Sequence, residues 1–206
     1  MKEKYIEKKM EIVTTAAALS TKKGVSNTTV FDIAKALNVS KGHVYHYFKS
    51  KDEIIEAIAE KAILGISEIR EYYKSLGNLE PTETLRKCII FWLLKGDENR
   101  YNNSFFDTEF RNMSPEITER LRTGAKENIN FFEYRLDEGI KAGEFKVENT
   151  KLVAFNIWAA AHEWALRNWF FKNFLTPEQY AEQQADLILE SILVNKKKSE
   201  KGSRDS

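Results

Sequence analysis

Apolar residues recur at three- and four-residue spacing along almost the whole chain, and nowhere do they alternate as a half-buried strand requires. That period predicts an all-α fold. Ile6, Ile12, Val13, Ala16, Ala17 and Leu19 mark one face of a first helix, and Thr21 to Asn27, centred on Gly24, reads as a loop. Thr29 caps a short helix with Asp32 at its third position, the spacing of a capping box, and Val30, Ile33, Ala34 and Leu37 form its inward stripe. Asn38 suits a left-handed turn. Ser40 caps the next helix, which turns Val44 and Phe48 inward. Ser50 and Asp52 open a single longer helix to about Ser75, with Ile54, Ile55, Ile58, Ala62 and Ile66 on its apolar side and Gly65 as a point of easier bending.

Beyond Gly77 the punctuation is equally plain. Pro81 opens a helix carrying Leu85, Ile89, Trp92 and Leu93, a break is expected over Gly96 to Asn103, and a short aromatic helix follows around Phe105, Phe106 and Phe110. Ser114-Pro115 starts a long helix to about Ala142 with Gly143 just past its end. Another spans about Asn149 to Phe174, and Thr176-Pro177 restarts the chain for a last helix ending near Val194. The polar stretch NKKKSEKGSRDS is expected to be a disordered basic tail. The domains predicted are 1–50, three helices; 51–194, a larger helical body whose first helix connects the two; and the tail, 195–206.

Composition narrows the function. With 1 Cys there is no intrachain disulfide, and the three His show no metal-ligand spacing. The N-terminus lacks a signal-like apolar stretch, and the longest apolar run, Leu152 to Ala161, is too short for a membrane span, so a cytoplasmic protein with no membrane association is expected. The net charge of +1 is unevenly spread: residues 1–61 carry 11 Lys against 8 acids, whereas 62–194 sum to −5. A basic N-terminal unit on an acidic body permits nucleic-acid binding. No Gly-rich phosphate loop, HExxH or GxSxG is present, which predicts a non-enzyme, and no resident cofactor is expected.

The segment 29–48, two short capped helices joined at Leu37-Asn38-Val39, has the spacing of a helix-turn-helix. An ordinary helical corner shares that spacing, so the outer face of the second helix must discriminate. With Val44 and Phe48 inward, Gly42 and His46 point away, flanked by His43 and Tyr45, with Lys41 at the edge and no acid. Gly42 allows close backbone approach to a base edge, and the other groups donate hydrogen bonds. Those properties favour DNA over a protein-interaction adaptor, which would want exposed apolar anchors where only Tyr45 stands.

The stretch TTVFDIAKALNVSKGHVYHYFKSKDEIIEAI, Thr28 to Ile58, resembles the DNA-binding signature of TetR-type transcriptional repressors, almost residue by residue from Val39 to Lys51. The resemblance implies a three-helix helix-turn-helix DNA-binding domain and a larger helical ligand-binding and dimerisation domain. It implies a homodimer through the last two helices, bound as one dimer or a pair to a double-stranded, roughly palindromic operator. Carried over, Ser40, Lys41, Gly42, His43, Tyr45 and His46 would face the major groove, and Thr29, Tyr47 and Lys51 would hold phosphates. His43 departs from the Thr, Ser or Asn frequent at its position in the family.

The body concentrates aromatic side chains, which the resemblance turns into an expected cavity for a small hydrophobic effector. The expected lining is Trp92, Phe106, Phe110, Phe132 and Trp158, with Arg135, His162 and Arg167 as polar contacts. Glu163 and Arg167 form an i,i+4 pair that serves equally as an interface ion pair or an effector contact. LDEGIKAGEF, the Trp-rich helix after it and TPEQYAEQQADLIL resemble the bodies of regulators of fatty-acid or sterol-ring breakdown that bind acyl-CoA thioesters. The alternative is a drug-like aromatic cation, as in efflux-pump repressors of the same family.

Overall fold

The computed structural model describes residues 2–63, 65–109, 111 and 113–194. These form α1 (Lys2–Lys23), α2 (Val30–Ala36), α3 (Lys41–Tyr47), α4 (Lys51–Ile63), α5 (Gly65–Ser75), α6 (Pro81–Glu98), α7 (Arg100–Glu109), α8 (Pro115–Lys141), α9 (Thr150–Phe171) and α10 (Pro177–Ile192). The N-caps lie where the sequence puts them. Thr29 and Asp32 close a reciprocal capping box, Ser40 accepts from the His43 amide, and Ser114, Asn149 and Thr176 cap α8, α9 and α10. Asn38 takes φ +55° in the α2–α3 turn, and Gly143 takes φ +73° just past α8.

Three features differ from expectation. The break over 96–103 shrinks to Asn99, which caps α6 and leads into α7. The connector expected from Ser50 to Ser75 is helical on either side of residue 64, described as α4 and α5. α4 packs against α1, α7 and α8, and α5 against α6 and α8. α9 ends at Phe171, and its helical geometry is broken at Arg167 (φ −118°, ψ 21°). Ile6, placed on the buried face of the first helix, is 60% exposed because the core contacts of α1 begin at Ile12. The basic-tail expectation, 195–206, falls outside the described residues.

Two apolar cores organise the molecule. The first joins Ile12, Val13, Ala16 and Ala17 of α1 to Ile33, Ala34, Val44 and Phe48, and it extends past residue 50 to Ile54, Ile58 and Ala59 of α4 and Phe105 and Phe106 of α7. The second lies between α5, α6, α8, α9 and α10. α6 and α9 cross so closely at Gly96 that an added Cβ there would sit 2.7 Å from Ala161 Cβ. The last described residues return onto the α8–α9 turn: the Lys146 amide donates to the Ile192 carbonyl at 2.7 Å and the Val194 amide to the Glu144 carbonyl at 2.9 Å. That isolated antiparallel bridge, Phe145 with Leu193, is extended pairing that helical periodicity could not announce.

Candidate DNA interface and body cavity

α2 and α3 form the helix-turn-helix, held from beneath by Ile33, Ala34, Val44 and Phe48. On the opposite side of α3, Lys41, Gly42, Tyr45 and His46 are exposed and His43 is half-buried. A Cβ built on Gly42 would meet only Ser40 Oγ, at 3.7 Å, so the surface there is open. Lys41 lies over the exposed Phe31 ring at 5.0 Å. Tyr47 is half-buried, with its ring 5.3 Å from that of His43 and 5.1 Å from that of His46. Tyr5 of α1 completes the cluster, 4.8 Å from Tyr47 and 6.2 Å from His46. The sequence reading missed Tyr5 because nothing local links it to a helix some forty residues later.

Two of the residues expected to hold phosphates have internal partners. The Thr29 hydroxyl donates to Asp32 Oδ2 at 2.6 Å and accepts from the Asp32 amide at 3.2 Å. Lys51 Nζ donates to the Val25 carbonyl, pinning the α1–α2 loop to the start of α4. Asp32 also pairs with Lys23 at 2.8 Å, and this ammonium together with the Thr29 donors holds its carboxyl well below the usual carboxylate range.

A cavity of about 240 Å³ opens within the body. Trp92, Phe106 and Trp158 supply aromatic walls, Gly96, Gly124, Ala125 and Ala161 supply room, and Lys61, Lys95, Arg122 and Glu68 bring charge. The Trp92 indole N–H donates to the Trp158 carbonyl at 3.4 Å, which ties α6 to α9 at the cavity wall, and the Trp158 ring lies 4.3 Å from that of His162. Asn128, 4% exposed, lines the cavity with an Oδ1 that accepts no hydrogen bond from the described residues. A polar atom of this kind is costly unless water or a ligand satisfies it.

Of the expected effector contacts, the cavity brings together Trp92, Phe106, Trp158 and His162. Phe132 lies elsewhere, fully buried in the body core with its ring 6.0 Å from that of Trp92. Arg135 is not among the residues lining the cavity; its guanidinium lies 4.0 Å from the Tyr73 ring centre and 3.1 Å from Glu138. Arg167, at the α9 irregularity, is exposed, paired with Glu163 and not among the residues lining the cavity. Phe110 falls outside the described residues. Lys61, Glu68, Lys95, Asn99, Asn103, Arg122 and Asn128 were not foreseen. Asn128 carried a signal: it interrupts the buried stripe of Gly124, Phe131 and Phe132 with an amide.

Among the described residues no group of His, Cys, Asp and Glu is placed to hold a metal ion, and no helix is long and apolar enough to cross a membrane. Cys88 is buried on α6, and burial pushes its thiol up to about 12, so it packs as a small apolar group.

A helix-turn-helix unit that shares its core with a cavity-bearing helical body defines the class of one-chain DNA-binding regulators. The chain belongs to the TetR family: the family model for "Bacterial regulatory proteins, tetR family" matches residues 12–58, and that for "Tetracyclin repressor-like, C-terminal domain" matches residues 78–192. The HTH-type transcriptional regulator HbdR of Aromatoleum sp. (strain CIB) is 24% identical over 94% of this chain and 84% of its own. The fatty acid metabolism regulator protein of Bacillus subtilis (strain 168) is 31% identical over 68% of this chain and 71% of its own. The crystal structure of AibR in complex with isovaleryl coenzyme A and operator DNA shares the fold, with a TM-score of 0.68 at 21% identity, covering 87% of this chain and 96% of that one.

Proposed function

We propose that this TetR-family regulator represses transcription as a homodimer on a palindromic operator and is released by an acyl-coenzyme A thioester. The observation that carries the effector class is the charge of the cavity: Lys61, Lys95 and Arg122 line it against one acid, Glu68, whose residue is exposed. The aromatic walls would suit either ligand, but three cationic side chains in the lining repel a lipophilic cation and attract an anionic ligand with an apolar tail. The likeness to a fatty acid metabolism regulator and to a structure holding isovaleryl coenzyme A supports the same class. The acyl chain packs between Trp92, Phe106 and Trp158, and the phosphates of the coenzyme stay at the border.

Ser40, Lys41, Gly42, His43, Tyr45 and His46 then face the major groove, and Tyr47, Thr29 and Lys51 lie at its phosphate edge. Dimerisation uses α9 and α10, whose outer faces leave Leu152, Phe155 and Leu187 exposed. Release requires the ligand to favour the non-operator arrangement, not merely to bind.

The test is calorimetric titration with acyl-CoAs of increasing chain length beside a lipophilic cation. Each methylene buried adds about 0.8 kcal/mol, so affinity rises about fourfold per CH₂ until the cavity is full and then levels off. Tight binding of the cation with none of any thioester overturns the effector assignment.

A further inference from the structure

We propose that Lys61 carries effector occupancy to the DNA-binding unit, its ammonium being shared between Thr14 of α1 and the anionic group of the ligand. This rests on the cavity being the effector site and names the residue that couples it to DNA. Lys61 stands on α4, between the two cores, and lines the cavity. Its Nζ reaches out of the cavity to donate to Thr14 Oγ1 at 3.2 Å. Thr14 follows Ile12 and Val13 and precedes Ala16 and Ala17, all buried in the core that seats α2 and α3. One hydrogen bond thus joins the cavity wall to the helix on which the helix-turn-helix rests.

The partner of Lys61 is chemically weak for a cation. Among the described residues no carboxylate forms an ion pair with it, whereas Lys95 has Glu98 at 2.6 Å and Arg122 has Glu119 at 3.8 Å. Burial lowers the pKa of Lys61, with Glu68 and Glu98 opposing the shift and Lys95 adding to it. A half-buried ammonium facing a neutral hydroxyl gains more from a carboxylate, thioester-borne phosphate or other ligand anion than from Thr14. When such a group arrives, the hydrogen bond moves from Thr14 to the ligand. α1 keeps its apolar contacts with α4 but loses this hydrogen bond, and the seat of α3 is freed to shift. No bond other than that hydrogen bond is exchanged.

The experiment uses the full chain with four variants, Thr14→Val, Thr14→Ser, Lys61→Met and the Val/Met double variant, each first checked by thermal melting. Operator affinity is measured by fluorescence anisotropy without ligand and with saturating octanoyl-CoA. Without ligand, T14V and K61M should each weaken operator binding about tenfold, the double variant no further, and T14S should match the wild type, as one shared charge-assisted hydrogen bond requires. T14V should keep its affinity for octanoyl-CoA within about twofold while its ligand-dependent loss of operator affinity shrinks about tenfold; K61M should lose affinity for the ligand as well. Operator binding by T14V within about twofold of wild type, or additive losses in the double variant, overturns the proposal. If octanoyl-CoA leaves the wild type on its operator while the ligand-free pattern holds, the thioester reading falls and the Thr14–Lys61 coupling stands. If octanoyl-CoA releases the wild type and the variants behave like it, the coupling falls and the thioester reading stands.

Discussion

Replacing Gly42 should move stability and DNA affinity in opposite directions. The residue lies in the first turn of α3, where a Cβ would meet only Ser40 Oγ at an ordinary contact distance of 3.7 Å. Alanine there adds no strain and restricts the unfolded chain, a gain of about 0.5–1 kcal/mol relative to glycine in a helix. For a chain of this size that raises the melting temperature by about 1–4 °C. In the proposed DNA complex the same methyl would stand where the backbone approaches a base edge. Losing a good base contact costs about 1–3 kcal/mol, and a dimer carries the substitution twice, so operator binding weakens by about 2–6 kcal/mol in total. Gly42→Leu, bulkier still, should fall to the affinity shown for random DNA, which for such proteins lies about 10³–10⁷ below the specific value. The assay pairs thermal melting with anisotropy on operator and scrambled duplexes at one fixed salt concentration. Normal operator binding by Gly42→Leu, with the fold intact, would show that this face of α3 does not enter the groove.

Gly96→Ala should destabilise the body by about 1–3 kcal/mol, because the new Cβ lies 2.7 Å from Ala161 Cβ and 3.2 Å from its Cα, so the α6–α9 crossing must widen. Adding Ala161→Gly removes the nearest contact and should recover part of the loss; urea unfolding of the single and double variants reads this, and a neutral Gly96→Ala refutes the packing. Asp32 supplies a pH test with a definite sign. Its folded carboxyl is held below the ordinary 3.8 by Lys23 and the Thr29 donors, so its contribution is present above that value and is lost as pH falls through the folded pKa. The difference in urea midpoint between the wild type and Asp32→Asn should therefore be constant from pH 7 to about 5 and narrow below pH 4; a gap that persists unchanged into that range refutes the role.

The sequence by itself determined most of the helices and the helix-turn-helix. Thr29 with Asp32, Asn38, Ser40 and the inward pair Val44 and Phe48 act within a few residues of one another, where backbone geometry leaves few choices. A helical phase says which face is buried, and for α3 that also says which face is free. It does not say which neighbour covers the buried face. Phe105 and Phe106 are adjacent, yet Phe105 fills the N-terminal core while Phe106 also walls the cavity, a division set by how α7 wedges between α1 and α9. Phe132 and Arg135 look like cavity residues on the same stripe of α8 as Asn128, but that stripe is long enough for its far end to leave the cavity. Nothing local announces that the fold brings the Val25 carbonyl to Lys51, or that Thr14, 47 positions before Lys61, accepts a hydrogen bond from its ammonium. These pairings are non-local, set by the packing of helices far apart in the chain, and only the tertiary structure could decide them.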